Sequence, residues 1–318
     1  MINCNTNNFQ YKPSRVCIVI GSACNVKCRY CVRNAIKHFK DPKHLTDDTK
    51  AFLQQLDPQT VEAIVINGGE PLLYLDRIKE VFSLVPKSIH KAIMSNGTLM
   101  TDEIADWMND VDCELHLSHE GTGAVQLKGV DILQDPKIVH ALNRIHTMRL
   151  YNIITAVNCN ILDNFEYVRE KLADVRDFWF TCFPSIIYPG IDPIIYKDFD
   201  FDTFGRSIVE LNLKYPNNTG INGHHKQSRQ NNNAGFNLMP DGSIVSYVSL
   251  QKYGSMFESK QLAIQNLESS NEIDYCKKSN CIFRSNCRVA MQSASPFTCK
   301  VLRVYFSALN YAKHYQNN

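Results

Sequence analysis

The chain has 318 residues, enough for one large domain or two modest ones. Its hydrophobic share of 44%, charged share of 21% and net charge of +2 are those of an ordinary globular protein, and they give no reason to expect a nucleic-acid partner. The opening MINCNTNNFQYKPSR lacks an apolar core of signal-peptide length, and no apolar run approaches the roughly 20 residues that span a bilayer, so the sequence predicts a cytoplasmic protein with no membrane partner.

From residue 14 to about 215, short apolar runs alternate with amphipathic ones. Arg15–Ile20, Val61–Ile66, Lys91–Ser95, Cys113–Ser118, Ile153–Asn158 and Phe178–Phe183 read as strands, rich in Ile, Val, Leu and Phe. Between them, Asp47–Leu56, Leu75–Leu84, Asp102–Met108, Lys137–Met148 and Phe165–Leu172 carry helical periodicity, with Thr46, Thr101 and Asp163 where N-caps are expected. Strands and helices alternating in series predict a parallel sheet, because parallel neighbours need a crossover. Next, the Asn- and Gly-rich stretch Tyr215–Ala234 reads as a loop or linker. Gly235–Leu250 follows, with Pro240-Asp241-Gly242 between two apolar runs, which predicts a hairpin; the chain closes on an apolar-periodic helix over Val301–His314. The expected division is an N-terminal extension (1–13), an α/β domain (14–215) and a smaller cysteine-bearing domain (216–318).

Twelve cysteines is a high number for a chain read as cytoplasmic, where clustered cysteines are more often metal ligands or redox groups than disulfides. Cys24, Cys28 and Cys31 lie within one short loop after the first predicted strand; Cys276, Cys281, Cys287 and Cys299 lie near the end; the other five are scattered. Three thiolates on an iron–sulfur cluster that takes four ligands leave one metal position open, as in a catalytic site. Ligands of parallel α/β folds also bind at strand carboxyl ends, where this loop stands. The residues alone leave three other readings: a zinc site completed from elsewhere, His38 for example, a redox pair, or plain burial.

Cys24, Cys28, Tyr30 and Cys31 resemble the radical S-adenosylmethionine (SAM) signature. Gly68-Gly69-Glu70-Pro71 follows the second strand, where that superfamily places a GGE-like motif; Met94-Ser95-Asn96-Gly97-Thr98 ends the third like its TNG. Leu117-Ser118-His119-Glu120-Gly121 stands where many members read Ser-x-Asp-Gly, and Val157-Asn158 matches a common Asn at the fifth. The resemblance implies an α/β fold, a (β/α)6 partial TIM barrel, whose 4Fe–4S cluster on Cys24, Cys28 and Cys31 is chelated by SAM. It further implies that Gly68, Gly69 and Glu70 meet the SAM amino group, and that Ser95, Asn96, Ser118, Asn158 and Tyr30 line the cofactor.

The segment with Cys276, Cys281, Cys287 and Cys299 binds zinc or iron–sulfur on its residues alone. Beside the first motif it resembles a C-terminal SPASM (or twitch-type) domain, with Cys299 heading the aromatic-rich closing helix. Met291 replaces the fourth motif cysteine, and the hairpin reads Ser246-Tyr247 where relatives have Pro-Cys, so the resemblance implies one auxiliary cluster on these four cysteines and loss of the inner one. It implies a maturase acting on a peptide or protein, of the ribosomally-made-peptide cross-linking or epimerising type, with flavodoxin or ferredoxin as electron donor. A small sugar or nucleoside precursor is the alternative substrate, and a non-catalytic iron–sulfur or zinc protein the alternative class. The length predicts no added N-terminal peptide-recognition domain. Weak candidates for acid–base or hydrogen-atom donation are His119, Glu120 and Cys182, with His116 and Cys159 beside them at strand ends; an ordinary solvated loop for the first two and His116, and plain packing for the two cysteines, are the alternatives.

Overall fold

The computed structural model describes residues 15–31, 45–184, 195–216, 236–238, 243–246 and 252–255, together with Lys300, Arg303–Tyr305, Ser307, Ala308, Tyr311, Ala312 and His314. The four C-terminal cysteines, His38 and most of the 215–234 stretch lie outside the described residues.

Six parallel strands lie side by side in chain order: β1 (Arg15–Val19), β2 (Ala63–Asn67), β3 (His90–Ser95), β4 (Cys113–Ser118), β5 (Thr147–Ile154) and β6 (Asp177–Pro184). The crossovers hold α1 (Asp47–Gln54), α2 (Leu75–Leu84), α3 (Asp102–Asp110), α4 (Ala124–Lys128) with α5 (Pro136–Asn143), and α6 (Ile161–Lys171); α7 (Phe201–Lys214) follows β6. The predicted hairpin is present as β7 (Phe236–Leu238) and β8 (Ser243–Ser246), antiparallel, with β9 (Lys252–Ser255) beyond. β7 pairs parallel to β1, so β1 has neighbours on both sides and the sheet continues past it.

One face of the sheet is covered by helices. Val16, Ile18, Ile64, Ile66, Ile93, Leu115, Leu117, Met148, Leu150, Phe178 and Phe180 pack there against Leu53, Ile78, Phe82, Met108, Leu142, Phe165 and Val168. The other face begins with the small side chains Cys17, Val65 and Ala92 and is also buried. Burial on both faces is why β1 and β2 read as near-continuous apolar runs, whereas β4 alternates apolar and polar residues.

Helix starts follow side-chain capping. Thr46, Thr101, Asp135 and Asp200 each accept a backbone N–H of the first turn. Asp163 is not the α6 cap: Asn160 is, and Asp163 N donates to it. The predicted Lys137–Met148 helix ends at Asn143, and β5 begins at Thr147 instead of Ile153. Ile138, Ala141, Leu142, Ile145 and Met148 keep helical spacing, but pairing of 147–154 between β4 and β6 overrides that local signal. The expected strand end Ala156–Asn158 is a 3-10 turn.

Phe165 is fully buried and meets the rings of Phe178, Phe180 and Tyr215 at 6.1, 5.3 and 4.7 Å between centroids. Phe165→Ala is expected to cost about 3–5 kcal/mol, seen as a lower urea midpoint with an unchanged slope.

Candidate functional site

Parallel strands bring their carboxyl ends to one edge, and the chain after β1 crosses that edge carrying Cys24, Cys28 and Cys31. It is held by backbone and side chains from three neighbouring strand ends. Gly69 N donates to Gly21 O at 2.9 Å and Glu70 N to Ala23 O at 2.8 Å, while Ala23 N donates to Tyr74 Oη at 3.0 Å. After β3, Asn96 Nδ2 donates to Asn25 Oδ1 at 3.0 Å, and Asn25 Nδ2 donates to Thr98 Oγ1 at 2.7 Å. Beyond β4, Arg29 N donates to Leu127 O at 2.9 Å, and the Tyr30 hydroxyl bonds Glu120 Oε1.

The glycine pair is required by this contact. A Cβ on Gly69 would stand 2.0 Å from Ala23 O, and one on Gly68 2.7 Å from Gly21 O. Two backbones therefore approach more closely than any side chain permits.

None of the three thiols is in a disulfide; Cys24 is exposed and Cys28 and Cys31 are half-buried. Asn96 Nδ2 lies 4.0 Å from Cys24 Sγ. Burial pushes the Cys28 thiol up to about 11, with Lys128 opposing the shift and Glu120 adding to it. Among the described residues no three His, Cys, Asp or Glu side chains converge on a single metal ion. A polynuclear cluster asks for something different, one thiolate per iron. Three thiols outside any disulfide, carried on one pinned loop, fit that requirement and would leave one iron open.

Glu70 and Ser95 are turned inward. The buried Glu70 accepts from Leu72 N (3.0 Å), Ser95 Oγ (2.7 Å) and Asn96 N (2.8 Å); burial raises its pKa, and these bonds oppose the rise. The carboxylate thus ties the end of β2 to the end of β3, and Gly97 N closes the turn on Ser95 Oγ at 2.9 Å.

Tyr30, Ser118 and Glu120 are brought together, with one residue that the sequence reading missed. Lys128 of α4 places Nζ 2.9 Å from Glu120 Oε2, 2.5 Å from Ser118 O and 3.1 Å from Ser118 Oγ. Glu120 is 0% exposed and Lys128 is buried, so each charge depends on the other. Burial, and then Glu120, pushes the Tyr30 phenol well above its ordinary value. No sequence signal marks Lys128: it looks like any basic residue in the last turn before Gly129.

His119 faces away from this group. Its Nδ1 accepts from Gly121 N at 3.0 Å and its Nε2 donates to Asp131 Oδ1 at 3.0 Å, while Tyr167 Oη donates to Asp131 Oδ2 at 2.5 Å. Burial opposes the charge on Asp131, but His119 and Tyr167 hold its pKa well below the carboxylate range. Both ring nitrogens are occupied, which makes His119 a brace of the β4 loop. Asn158 is a hub: its Oδ1 accepts from Thr155 N and Thr155 Oγ1 at 2.8 Å each, and its Nδ2 donates to Ile153 O at 3.0 Å and Glu120 O at 3.2 Å.

Cys182 is a weak candidate for hydrogen-atom donation only if it faces inward. It lies instead with Phe178 and Phe180 in the helix-side core, where burial pushes it up to about 12 despite a bond with Tyr305. Cys159, half-buried, caps the 3-10 turn after β5, and burial raises its thiol pKa. The closing segment is helical at Lys300, Arg303–Tyr305, Ser307, Ala308, Tyr311, Ala312 and His314.

Gly69→Ala is expected to displace Ser22–Ala23 and reduce iron and sulfide per chain after anaerobic reconstitution to a small fraction of wild type; Gly205→Ala in α7 leaves loading unchanged. Lys128→Met strands a buried carboxylate and is expected to cost about 3–5 kcal/mol, part of which Glu120→Gln in the same chain restores, as chemical denaturation will measure.

Residues 18–123 match the Radical SAM superfamily model. The radical SAM cyclopropyl synthase TigE of Paramaledivibacter caminithermalis is 21% identical over 225 residues, 64% of this chain and 47% of that protein. A GTP 3′,8-cyclase of Campylobacter jejuni is 26% identical over 182 residues, 54% of this chain and 57% of that protein. The chain spans about half the length of the curated relatives it matches. Among solved structures, anSMEcpe with bound AdoMet and Kp18Cys peptide superposes with a TM-score of 0.68 at 18% identity, over 94% of this chain and 99% of that one. Streptococcus suis SuiB bound to precursor peptide SuiA superposes at 0.58 and 13% identity, over 92% and 67%. The structural likenesses establish the fold, and the match to the Radical SAM superfamily model covers the cysteine loop, the glycine pair and the ends of β3 and β4.

Proposed function

We propose that this chain is a radical SAM enzyme of the SPASM/twitch type that abstracts a hydrogen atom from a peptide or protein substrate. The observation that carries the proposal is the cysteine loop, three thiols outside any disulfide on a segment pinned to three strand ends. A 4Fe–4S cluster held there would leave one iron open to chelation by the amino and carboxylate groups of SAM and would supply the electron for its reductive cleavage.

The residues of this chain bind and orient. Cys24, Cys28 and Cys31 hold the cluster, and loading must displace the proton that burial keeps on Cys28. Gly68 and Gly69 offer backbone to the methionyl amino group, and Glu70 fixes their position through Ser95 and Asn96. Tyr30, Ser118 and Asn158 bound the cofactor on the β4–β5 side, where Lys128 and Glu120 supply a compensated charge pair. The six parallel strands would form the (β/α)6 partial barrel. A second 4Fe–4S cluster on Cys276, Cys281, Cys287 and Cys299 would serve the 216–318 domain, with flavodoxin or ferredoxin delivering electrons in the cytoplasm.

The peptide substrate is favoured by structural neighbours solved with peptides, anSMEcpe with Kp18Cys and SuiB with SuiA. A second reading, a small-molecule substrate, is favoured by the GTP 3′,8-cyclases among the relatives. Anaerobically reconstituted protein with SAM and dithionite is expected to form 5′-deoxyadenosine, and the Cys24→Ala/Cys28→Ala/Cys31→Ala variant none; no product from wild type overturns the enzyme reading. About four irons retained by that variant support the second cluster, and near-zero iron removes it. Mass increments of the substrate, read on peptide and on small-molecule pools, separate the two substrate classes.

A further inference from the structure

The register across β4, β5 and β6 assembles a polar face on the side of the sheet opposite the helices. His116 stands beside Arg149 and Arg149 beside Trp179; one step nearer the cysteine loop, Ser118 stands beside Tyr151 and Tyr151 beside Thr181. Paired residues in a sheet share a face, and so do alternate residues along a strand. The intervening Leu115, Leu117, Met148, Leu150, Phe178 and Phe180 belong to the helix-side core, so these six side chains and Glu114 line the inner face. The face is not sealed along its length: Trp179 is 39% exposed, whereas His116 is 3% exposed.

Glu114 fixes the chemistry of His116. Its carboxylate receives Arg149 Nε at 3.1 Å and His90 Nε2 at 2.9 Å, and His116 Nε2 lies 3.2 Å from Oε2. A carboxylate next to three basic groups stays ionised and only accepts, so the imidazole nitrogen facing it carries the hydrogen. Burial favours the neutral ring, against the pull of Glu114. His116 Nδ1 is then a bare acceptor. Among the described residues it has no hydrogen-bond partner; Nε2 has only the ion-pair contact with Glu114, outside hydrogen-bond geometry, and Thr181 Oγ1, in a residue 7% exposed, has no partner either. Native proteins rarely leave two buried polar atoms unpaired on one face, since each costs stability until something bonds to it.

We infer that His116 and Thr181 are specificity-determining residues for the substrate, His116 Nδ1 accepting a hydrogen bond from a substrate N–H and Thr181 Oγ1 bonding a second polar group. This rests on the peptide-substrate reading and deepens it. Two strand spacings across the sheet and two residues along it separate the residues, about 12 Å, too far for one small amide. An extended peptide presents an N–H and a C=O about every 3.3 Å and reaches both, with Trp179 at the solvent-facing end of the row. His116 takes a donor and rejects a carboxylate or phosphate oxygen, which would meet its lone pair and the Glu114 charge behind it.

The test has a ligand-free and a ligand-bound arm on the reconstituted protein. Without ligand, Thr181→Val keeps the side-chain shape and removes an unpaired hydroxyl, so Tm is expected to rise by roughly 2 °C. With SAM present, peptides are selected from a random library on wild-type protein and kept when they quench Trp179 fluorescence in a Trp107→Phe background. Thr181→Val and His116→Phe are expected to weaken their binding about tenfold, and His116→Asn, which keeps an acceptor near Nδ1, to restore most of it. An unchanged or lowered Tm for Thr181→Val, or equal binding by the variants, overturns the inference and leaves the peptide reading intact. Peptides that bind without reaching Trp179 do the same. A selection that yields no binding peptide overturns both.

Discussion

The short contact between Gly21–Ala23 and Gly69–Glu70, which carries the parallel pairing of β1 and β2 past the strand ends, is the constraint on which the site depends. Two backbone hydrogen bonds there join the cysteine loop to the end of β2. Their closeness is possible because neither Gly68 nor Gly69 has a Cβ. Once that contact is made, Glu70 has a fixed backbone, its carboxylate reaches Ser95 and Asn96, and Asn96 in turn reaches Asn25 on the same loop. The ring of interactions closes on itself, so a loop without regular secondary structure is as well determined as the strands it joins.

The β4 side is governed by a different economy. Glu120 has no exposed surface, and a buried carboxylate is tolerated only when paired and hydrogen-bonded. Lys128 supplies the charge, Tyr30 the hydrogen bond, and Ser118 takes up the remaining protons of the ammonium. Beside them His119, Asp131 and Tyr167 form a second closed network, and Asn158 and Asn164 bind the loop from the β5 side. Each polar atom in this region that could shift the loop is committed elsewhere. Rigidity at a strand end is here the sum of satisfied bonds, and tight apolar packing is left to the helix side of the sheet.

Much of this was legible in the sequence, because the informative features are local. Five of the six parallel strands were placed within a few residues, Leu75–Leu84 was read to the residue, and the motif residues sit in order at consecutive strand ends. The failures are non-local. Ile145 and Met148 continue a helical spacing until pairing with β4 and β6 claims them for β5. Lys128 and Asp131 become important through partners 8 to 36 residues away, which no window reveals. Cys182 illustrates the limit of alternation: Thr181 and Cys182 are both buried, and only the register with β5 decides which one faces the helices. The glycine pair is legible as a motif, but its close contact with the chain's own loop is not, since Gly21 and Ala23 lie far off in sequence.

The parallel pairing of β1 with Phe236–Leu238 has a consequence for how the protein is made. Until that segment leaves the ribosome, the strand that carries the three cysteines has a row of unpaired amides and carbonyls along one side. At about 5–20 residues per second, the wait between the two strands lasts some 10–40 s. During that interval the nascent chain presents a bare sheet edge, the element most prone to pair with a neighbouring chain. Expression slowed by rare codons or low temperature lengthens this vulnerable period, and a chaperone that shields the Arg15–Val19 edge shortens its effect on yield.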